Sequence, residues 1–209
     1  MSYKELKTYR QAIVIHDYTY EFCKKYIKKF SRTVDQMEQA ARSGKQNIVE
    51  GTAVSKTSPS TELKLLGVAR GSFEELLEDY KDFLREKNLE TWDKDDARAV
   101  EVRKLAYGIN RSDRTDKPYT TYKSYKTYAA YEHFLNDPEK AANAMIVLIN
   151  QTNYLLDRQM NAVRAQMDGK GISMISQQQK VRMILGERQK NEKDFDEFLK
   201  GILKKSKSG

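Results

Sequence analysis

Apolar side chains return every third or fourth residue through most of this chain, in stretches of twenty residues or more that only three prolines, Pro59, Pro118 and Pro138, interrupt. An α-helix turns once in about 3.6 residues, so this spacing draws apolar groups into one stripe that has to be buried against other helices. In the first stretch the stripe reads Ile13, His16, Tyr20, Cys23, Ile27 and Phe30, which predicts a helix over 5–30. Ser31 to Thr33 can turn the chain and cap a second helix. There Val34, Met37, Ala41, Gly44, Ile48 and Gly51 repeat the spacing with small residues on the stripe, which lets a neighbouring helix come close. Ser58-Pro59 opens a third helix, since proline suits a first turn, and Leu66, Ala69, Phe73, Leu76, Tyr80 and Phe83 carry it to about Asn88. A shorter helix over 93–107 and a polar loop around Pro118 succeed it. After Asp137-Pro138 the positions Ala142, Met145, Ile149, Thr152, Leu156, Met160, Val163 and Met167 predict a long helix, with Gly169-Lys170-Gly171 as its expected end. No stretch shows the period of two that a strand requires.

The expected fold is therefore all-α: an antiparallel up-and-down four-helix bundle over 1–168, with an insertion at 109–137 before the last helix, and a helical suffix with a basic tail over 169–209. A hydrophobic content of 39% suffices for a core. No run approaches the eighteen or so apolar residues of a membrane span, and Met1-Ser2-Tyr3-Lys4-Glu5 lacks the apolar stretch of a secretion signal. The expected compartment is the cytoplasm. Cys23 is the single cysteine and cannot form an internal disulfide; its surroundings at helical spacing read as those of a packed thiol.

Lysine and arginine number 38 against 30 acids, a net charge of +8, which points to a polyanionic partner, RNA or DNA first. The charge is also segregated: residues 1–30 hold seven cations against three acids, 103–128 seven against two and 170–209 ten against five, whereas 60–90 hold five against eight. Ordinary solvated helix faces are the competing explanation.

The segment from Gln36 to Gly51, with Ala41, Arg42, Gly44, Lys45, Asn47, Glu50 and Gly51 in place, resembles the signature of the four-helix-bundle family named after the 23S ribosomal RNA intervening-sequence protein. Leu63, Leu66, Ala69, Arg70, Gly71, Ser72, Glu75 and Leu76 resemble that family's second motif. The resemblance implies an up-and-down four-helix subunit that assembles as a homopentamer and has no catalytic activity. Relatives include accessory variability proteins of diversity-generating retroelements, basic pentamers that bind a reverse transcriptase and nucleic acid. The 109–137 insertion and the 170–209 suffix depart from the short family form, and the suffix is similar to the extension of a suffix-bearing subgroup.

Among individual motifs, Gly44 with Gly51 and Gly67 with Gly71 each share a helix face and read as packing positions, as do Ala41 and Ser72. Gly44-Lys45 lacks the second glycine of a phosphate loop. Asn47 and Glu50, one turn apart in a small and apolar stretch, read as structural, with Arg42 or Arg70 as a partner for a buried carboxylate. His16 and His133 lack the glutamate three residues earlier that di-iron bundles use, and one cysteine with two distant histidines gives no zinc spacing. No metal or cofactor is expected.

Two clusters remain as nucleic-acid candidates. Lys24, Lys25, Lys28 and Lys29 are expected on the outer side of the first helix, with Arg42 and Lys45 on the second. The other cluster is a tyrosine repeat, Tyr119, Tyr122, Tyr125, Tyr128 and Tyr131, interleaved with Lys123 and Lys126 and preceded by Arg111, Arg114 and Lys117. Aromatic rings stack on unpaired bases while cations hold the backbone; a tyrosine stripe packed on the bundle fits the spacing too, and is the preferred reading. The function these features suggest is a non-enzymatic homo-oligomeric adaptor binding RNA or an RNA-processing partner, the alternative being a protein–protein scaffold with no nucleic-acid role.

Overall fold

In the computed structural model, which describes residues 3–111 and 126–174, regular structure among the described residues is entirely helical. The chain divides into two compact units, Met1–Arg164 and Ala165–Gly209. After a 3-10 turn over Tyr3–Glu5, α1 runs Lys7–Tyr26, α2 Arg32–Val54, α3 Pro59–Glu86 and α4 Ala97–Arg111; a 3-10 segment, Ala129–Asn136, then leads into α5, Pro138–Met174. None of the described helices is long and apolar enough to cross a membrane.

The helix starts reflect capping chemistry. The Ser31 hydroxyl accepts from the Val34 amide at 3.4 Å, and the Ser58 hydroxyl accepts from the Thr61 amide at 3.3 Å with Pro59 beside it in the first turn. Each cap satisfies an amide that the first turn leaves without a helical partner.

Of the four predicted stripes, that of α3 is buried throughout, and those of α2 and α5 are buried except at Val34 and Met167, which are half-buried. Met37, Ala41, Gly44, Ile48 and Gly51 line the inner face of α2; Leu66, Ala69, Phe73, Leu76, Tyr80 and Phe83 that of α3; and Ala142, Met145, Ile149, Thr152, Leu156, Met160 and Val163 that of α5. Full burial of the larger apolar ones, Met37, Ile48, Leu66, Phe73 and Ile149 among them, contributes about 1.5–3 kcal/mol each. The first stripe is corrected. Ile13 and His16 are half-buried, Tyr20 is exposed, and the buried face instead carries Thr8, Gln11, Ala12, Ile15, Tyr18, Thr19 and Phe22. Most polar groups that enter it find a partner: Thr8 donates to the Gln159 side-chain carbonyl at 3.0 Å, Thr152 donates to that of Gln11 at 2.9 Å, and the Thr19 and Tyr80 hydroxyls lie 3.0 Å apart, while Gln11 Nε2 and the Tyr18 hydroxyl are buried without a partner among the described residues. Buried hydroxyls and amides with partners do not carry the penalty of lone ones.

Helix boundaries shift as well. α1 stops at Tyr26 rather than near residue 30; Ile27 is extended, and Phe30 adopts a left-handed backbone (φ 58°) that carries its ring into solvent. The fourth helix occupies Ala97–Arg111 instead of 93–107. The glycines at 169 and 171 do not end α5, which continues to Met174; a glycine weakens a helix by about 1 kcal/mol without forbidding it.

Residue pairs fix how the helices of the first unit meet. Ser43 pairs with Ser72 at 2.9 Å, and a Cβ on Gly44 would lie 2.6 Å from the Phe73 ring, whereas one on Gly51 would meet Leu65 and the Glu62 carbonyl at 3.5 Å, so α2 and α3 run in opposite senses at close range. Arg70 donates to Asp157 at 2.8 Å and Asn153 to Glu74 at 3.1 Å, giving the same opposed sense to α3 and α5. Phe22 meets Tyr80 and Phe83 with ring centroids 4.8 and 4.9 Å apart, tying α1 to α3. Cys23 is buried with its sulfur 3.8 Å from that of Met37, as its packed reading requires. Burial, with Glu38 and Asp79 nearby, pushes the thiol pKa up to about 12, which leaves it a poor nucleophile.

Candidate nucleic-acid interface

The predicted basic residues that are described lie in differing surroundings. Lys24 and Lys25 are exposed on the last turn of α1, but Lys28 and Lys29 lie beyond its end, in the turn to α2, rather than on its outer face. Lys25 is already engaged: its ammonium donates to the Leu135 carbonyl at 2.6 Å, which the Tyr26 hydroxyl also reaches at 2.5 Å. Arg42 is exposed, while Lys45 is half-buried, and its pKa is lowered by desolvation, an effect that Asp17 opposes and Arg42 reinforces. Arg111 closes α4, with its side chain outside the described residues; Tyr119, Arg114, Lys117, Tyr122, Lys123 and Tyr125 lie outside them too. Lys126 pairs with Glu132.

The described end of the tyrosine repeat is packed. Tyr131 is fully buried and Tyr128 nearly so, its ring edge-on to Tyr18 at 6.0 Å. With Phe134 and Leu135 also buried, the last part of the 109–137 insertion contributes to the core. Thr127 donates to Asp17 at 2.6 Å, and His16 Nδ1 lies 2.7 Å from the other oxygen of that carboxylate. Burial alone would raise the Asp17 pKa; the His16 and Thr127 hydrogen bonds, with His16 and Lys45 nearby, outweigh it and hold the carboxyl below its usual range.

Of the family-motif residues, Ala41, Gly44, Gly51 and Ser72 pack as expected. Asn47 bonds back to its own helix, donating to the Ser43 carbonyl at 2.9 Å. Glu50 is exposed, so neither Arg42 nor Arg70 is needed to neutralise a buried charge; Arg70 goes to Asp157 and Glu74 instead. Gly67 and Gly71 are a further correction, because both face outward with no atom within 4 Å of an added Cβ. Among the described residues no three His, Cys, Asp or Glu side chains gather as metal ligands would.

The richer site is one that the sequence reading did not single out. A groove of about 490 Å³ runs between α4 and α5 in the first unit, and its lining includes Lys7, Lys94, Arg103 and Arg158 with no carboxylate among them. Its aromatic members are Trp92, Tyr107 and Tyr154. Helix geometry places them: Arg103 and Tyr107 stand one turn apart on α4, and Tyr154 and Arg158 one turn apart on α5, so each wall offers one ring and one guanidinium. Tyr107 is 63% exposed and Tyr154 61%, high values for large rings that a folded chain usually covers.

Trp92 lines the groove at 7% exposure, and its position is over-determined. Its amide donates to Asn143 Oδ1 at 2.8 Å, while Asn143 Nδ2 donates to the Glu90 and Glu139 carbonyls at 2.8 and 2.9 Å, strapping the α3–α4 connection to α5. Arg98 lies 4.6 Å over the indole and is itself paired with Asp96, Glu139 and Glu90 at 2.7, 3.4 and 3.7 Å. That cation is neutralised three times over. The four that line the groove form no ion pair with any described residue, although the Arg103 guanidinium donates to the Lys94 carbonyl. Trp92 Nε1 and Gln151 Oε1, both on groove-lining residues, are buried without hydrogen-bond partners. The one available sequence signal was the i, i+4 pairing of Arg with Tyr on two helices, hidden because each pair lies on the polar side of its helix.

No protein-family model, curated protein or solved structure matches the chain, so the family resemblance of the 36–80 segment stands on its own residues.

Proposed function

We propose that this chain is a non-enzymatic helical adaptor that binds RNA, or an RNA-processing partner such as a reverse transcriptase, through cationic surface. α1, α2, α3 and α5 form its antiparallel four-helix bundle, and copies of it assemble, as a pentamer by the family resemblance. The single observation that carries the nucleic-acid reading is the α4–α5 groove, where four cations with no counter-ion among the described residues stand beside two exposed tyrosines. An anionic strand supplies the missing counter-charge and releases its own condensed cations, a gain that shrinks as salt rises. The pair registers of α2 with α3 and of α3 with α5 support the bundle. The outward face of Gly67, Val68 and Gly71, open in the single chain, supports self-assembly.

Size-exclusion chromatography with light scattering, with and without a structured RNA at low and high salt, tests the proposal. A pentamer whose RNA complex dissolves as salt rises is the expected result. A monomer indifferent to RNA would overturn it and leave the protein-scaffold alternative in front.

A further inference from the structure

We infer that the α4–α5 groove holds an unpaired nucleotide of a single strand, its base against Tyr107 and Tyr154 and its phosphates against Arg103 and Arg158. The inference rests on the nucleic-acid reading above and sharpens it. A site that gripped only a phosphate backbone needs cations alone, and exposed rings beside them would be a liability in water. Here each groove wall carries a guanidinium and a phenol ring one helical turn apart, about 5–6 Å between Cβ atoms. Ring and guanidinium on one wall are thus neighbours, so one nucleotide can engage both groups. Base-to-ring stacking tolerates any sequence because every base has a π-face.

A second, independent observation points to a base. Trp92 Nε1, a donor, and Gln151 Oε1, an acceptor, are buried on groove-lining residues and lack partners. Buried polar atoms are nearly always satisfied, and each that is not calls for an explanation, a bound group among them; Gln11 Nε2, Tyr18 Oη and Asn153 Oδ1, on residues outside the groove lining, share this state. The Watson–Crick edge of each natural base presents an acceptor next to a donor, the two kinds of group that these atoms lack as partners. In a duplex that edge is already occupied. The groove therefore selects single strands, in which an unstacked base is free to turn inward.

Trp92 is the chain's single tryptophan, so its emission reports on the groove directly. The test uses the full chain and a fluorescein-labelled 12-nucleotide RNA in three forms: single-stranded, annealed to its complement, and with every base replaced by an abasic residue. Anisotropy gives the affinity for each, and Trp92 emission is followed with unlabelled versions. The expected result is about tenfold or greater preference for the intact single strand over both other forms, accompanied by a change in Trp92 emission. Tyr107→Ala and Tyr154→Ala, at exposed positions whose loss leaves the core intact, should erase most of that preference; Arg103→Gln and Arg158→Gln should weaken all three forms and flatten the salt dependence. Equal binding of intact and abasic RNA would overturn the base inference while leaving the nucleic-acid reading standing. So would equal binding of the duplex. Failure of any form to bind at low salt would overturn the reading itself.

Discussion

Two grooves of opposite sign flank the helices. Between α2 and α3 the walls bring Asp35, Glu75, Glu78 and Asp79 against the lone cation Arg32, while between α4 and α5 four cations face no carboxylate. In the acidic groove, burial above all, and then the neighbouring Asp82 and Glu75, raise the Asp79 pKa. The two grooves thus present charge of opposite sign to an approaching polyanion. The walls differ in another respect. Beneath the acidic groove, α2 and α3 meet through Ser43 with Ser72 and through Gly44 under the Phe73 ring, with no room to spare. The cationic groove is open, and its rings are exposed.

The comparison predicts where the chain is brittle and where it is tolerant. The largest effect belongs to the tight seam: Phe73→Ala should lower stability by about 3–5 kcal/mol in urea unfolding. Gly44→Ala should cost about 1–3 kcal/mol, because the new Cβ overlaps the ring and outweighs the helix propensity gained. Combining Gly44→Ala with Phe73→Leu should then be less damaging than the two separate losses predict; strict additivity would refute the contact.

Charge reversal has the second largest effect. Arg103→Glu with Arg158→Glu should weaken RNA binding by roughly a hundredfold at low salt and leave the unfolding midpoint nearly unmoved. Glu75→Lys with Glu78→Lys, the mirror change in the acidic groove, should leave the Arg103–Arg158 site's affinity in place while reducing the salt-dependent repulsion on the far side. If both pairs altered binding equally, the sign difference would carry no orientation.

A smaller and opposite effect is expected on the outer face of α3. Gly71→Ala meets open space, so it should stabilise the single chain by about 0.5–1 kcal/mol. If the same change shifts light-scattering mass from oligomer to monomer, that face is the contact between copies.

The smallest effect is at Asp17. Its carboxyl pKa is depressed in the folded chain, so its contribution is present at neutral pH, above the unfolded value, and fades as pH falls through the folded one. Asp17→Asn should therefore be slightly less stable than the parent at pH 7, and equally stable once the medium is acidic enough to protonate both states of the parent's carboxyl. A gap that widened on acidification would reverse the assigned sign.

The seam was legible in the sequence because everything that defines it is apolar or small at helical spacing: Met37 to Gly51 and Leu66 to Phe83 obey one rule. α1 was misread by about one residue of phase because Thr8, Gln11 and Thr19 go inward. A polar residue's burial depends on whether Gln159, Thr152 or Tyr80 will be there to bond it, and that is information about other helices, not about α1. The cationic groove was missed for a related reason. Tyr107 and Tyr154 sit where an amphipathic pattern assigns solvent, and only the meeting of α4 with α5 turns two unremarkable polar faces into one site. The lysines after Tyr26 were placed on a helix because periodicity continues through Phe30, whereas the backbone turns left-handed there.

The carbonyl of Leu135 accepts from both Lys25 and Tyr26, and Thr127 holds Asp17 a short way upstream. The chain that returns from α4 is thus fastened to α1 before α5 begins. Fastening of this kind fixes where the chain re-enters the helices, so the start of α5 is set by contacts to α1 as well as by the Asp137-Pro138 turn.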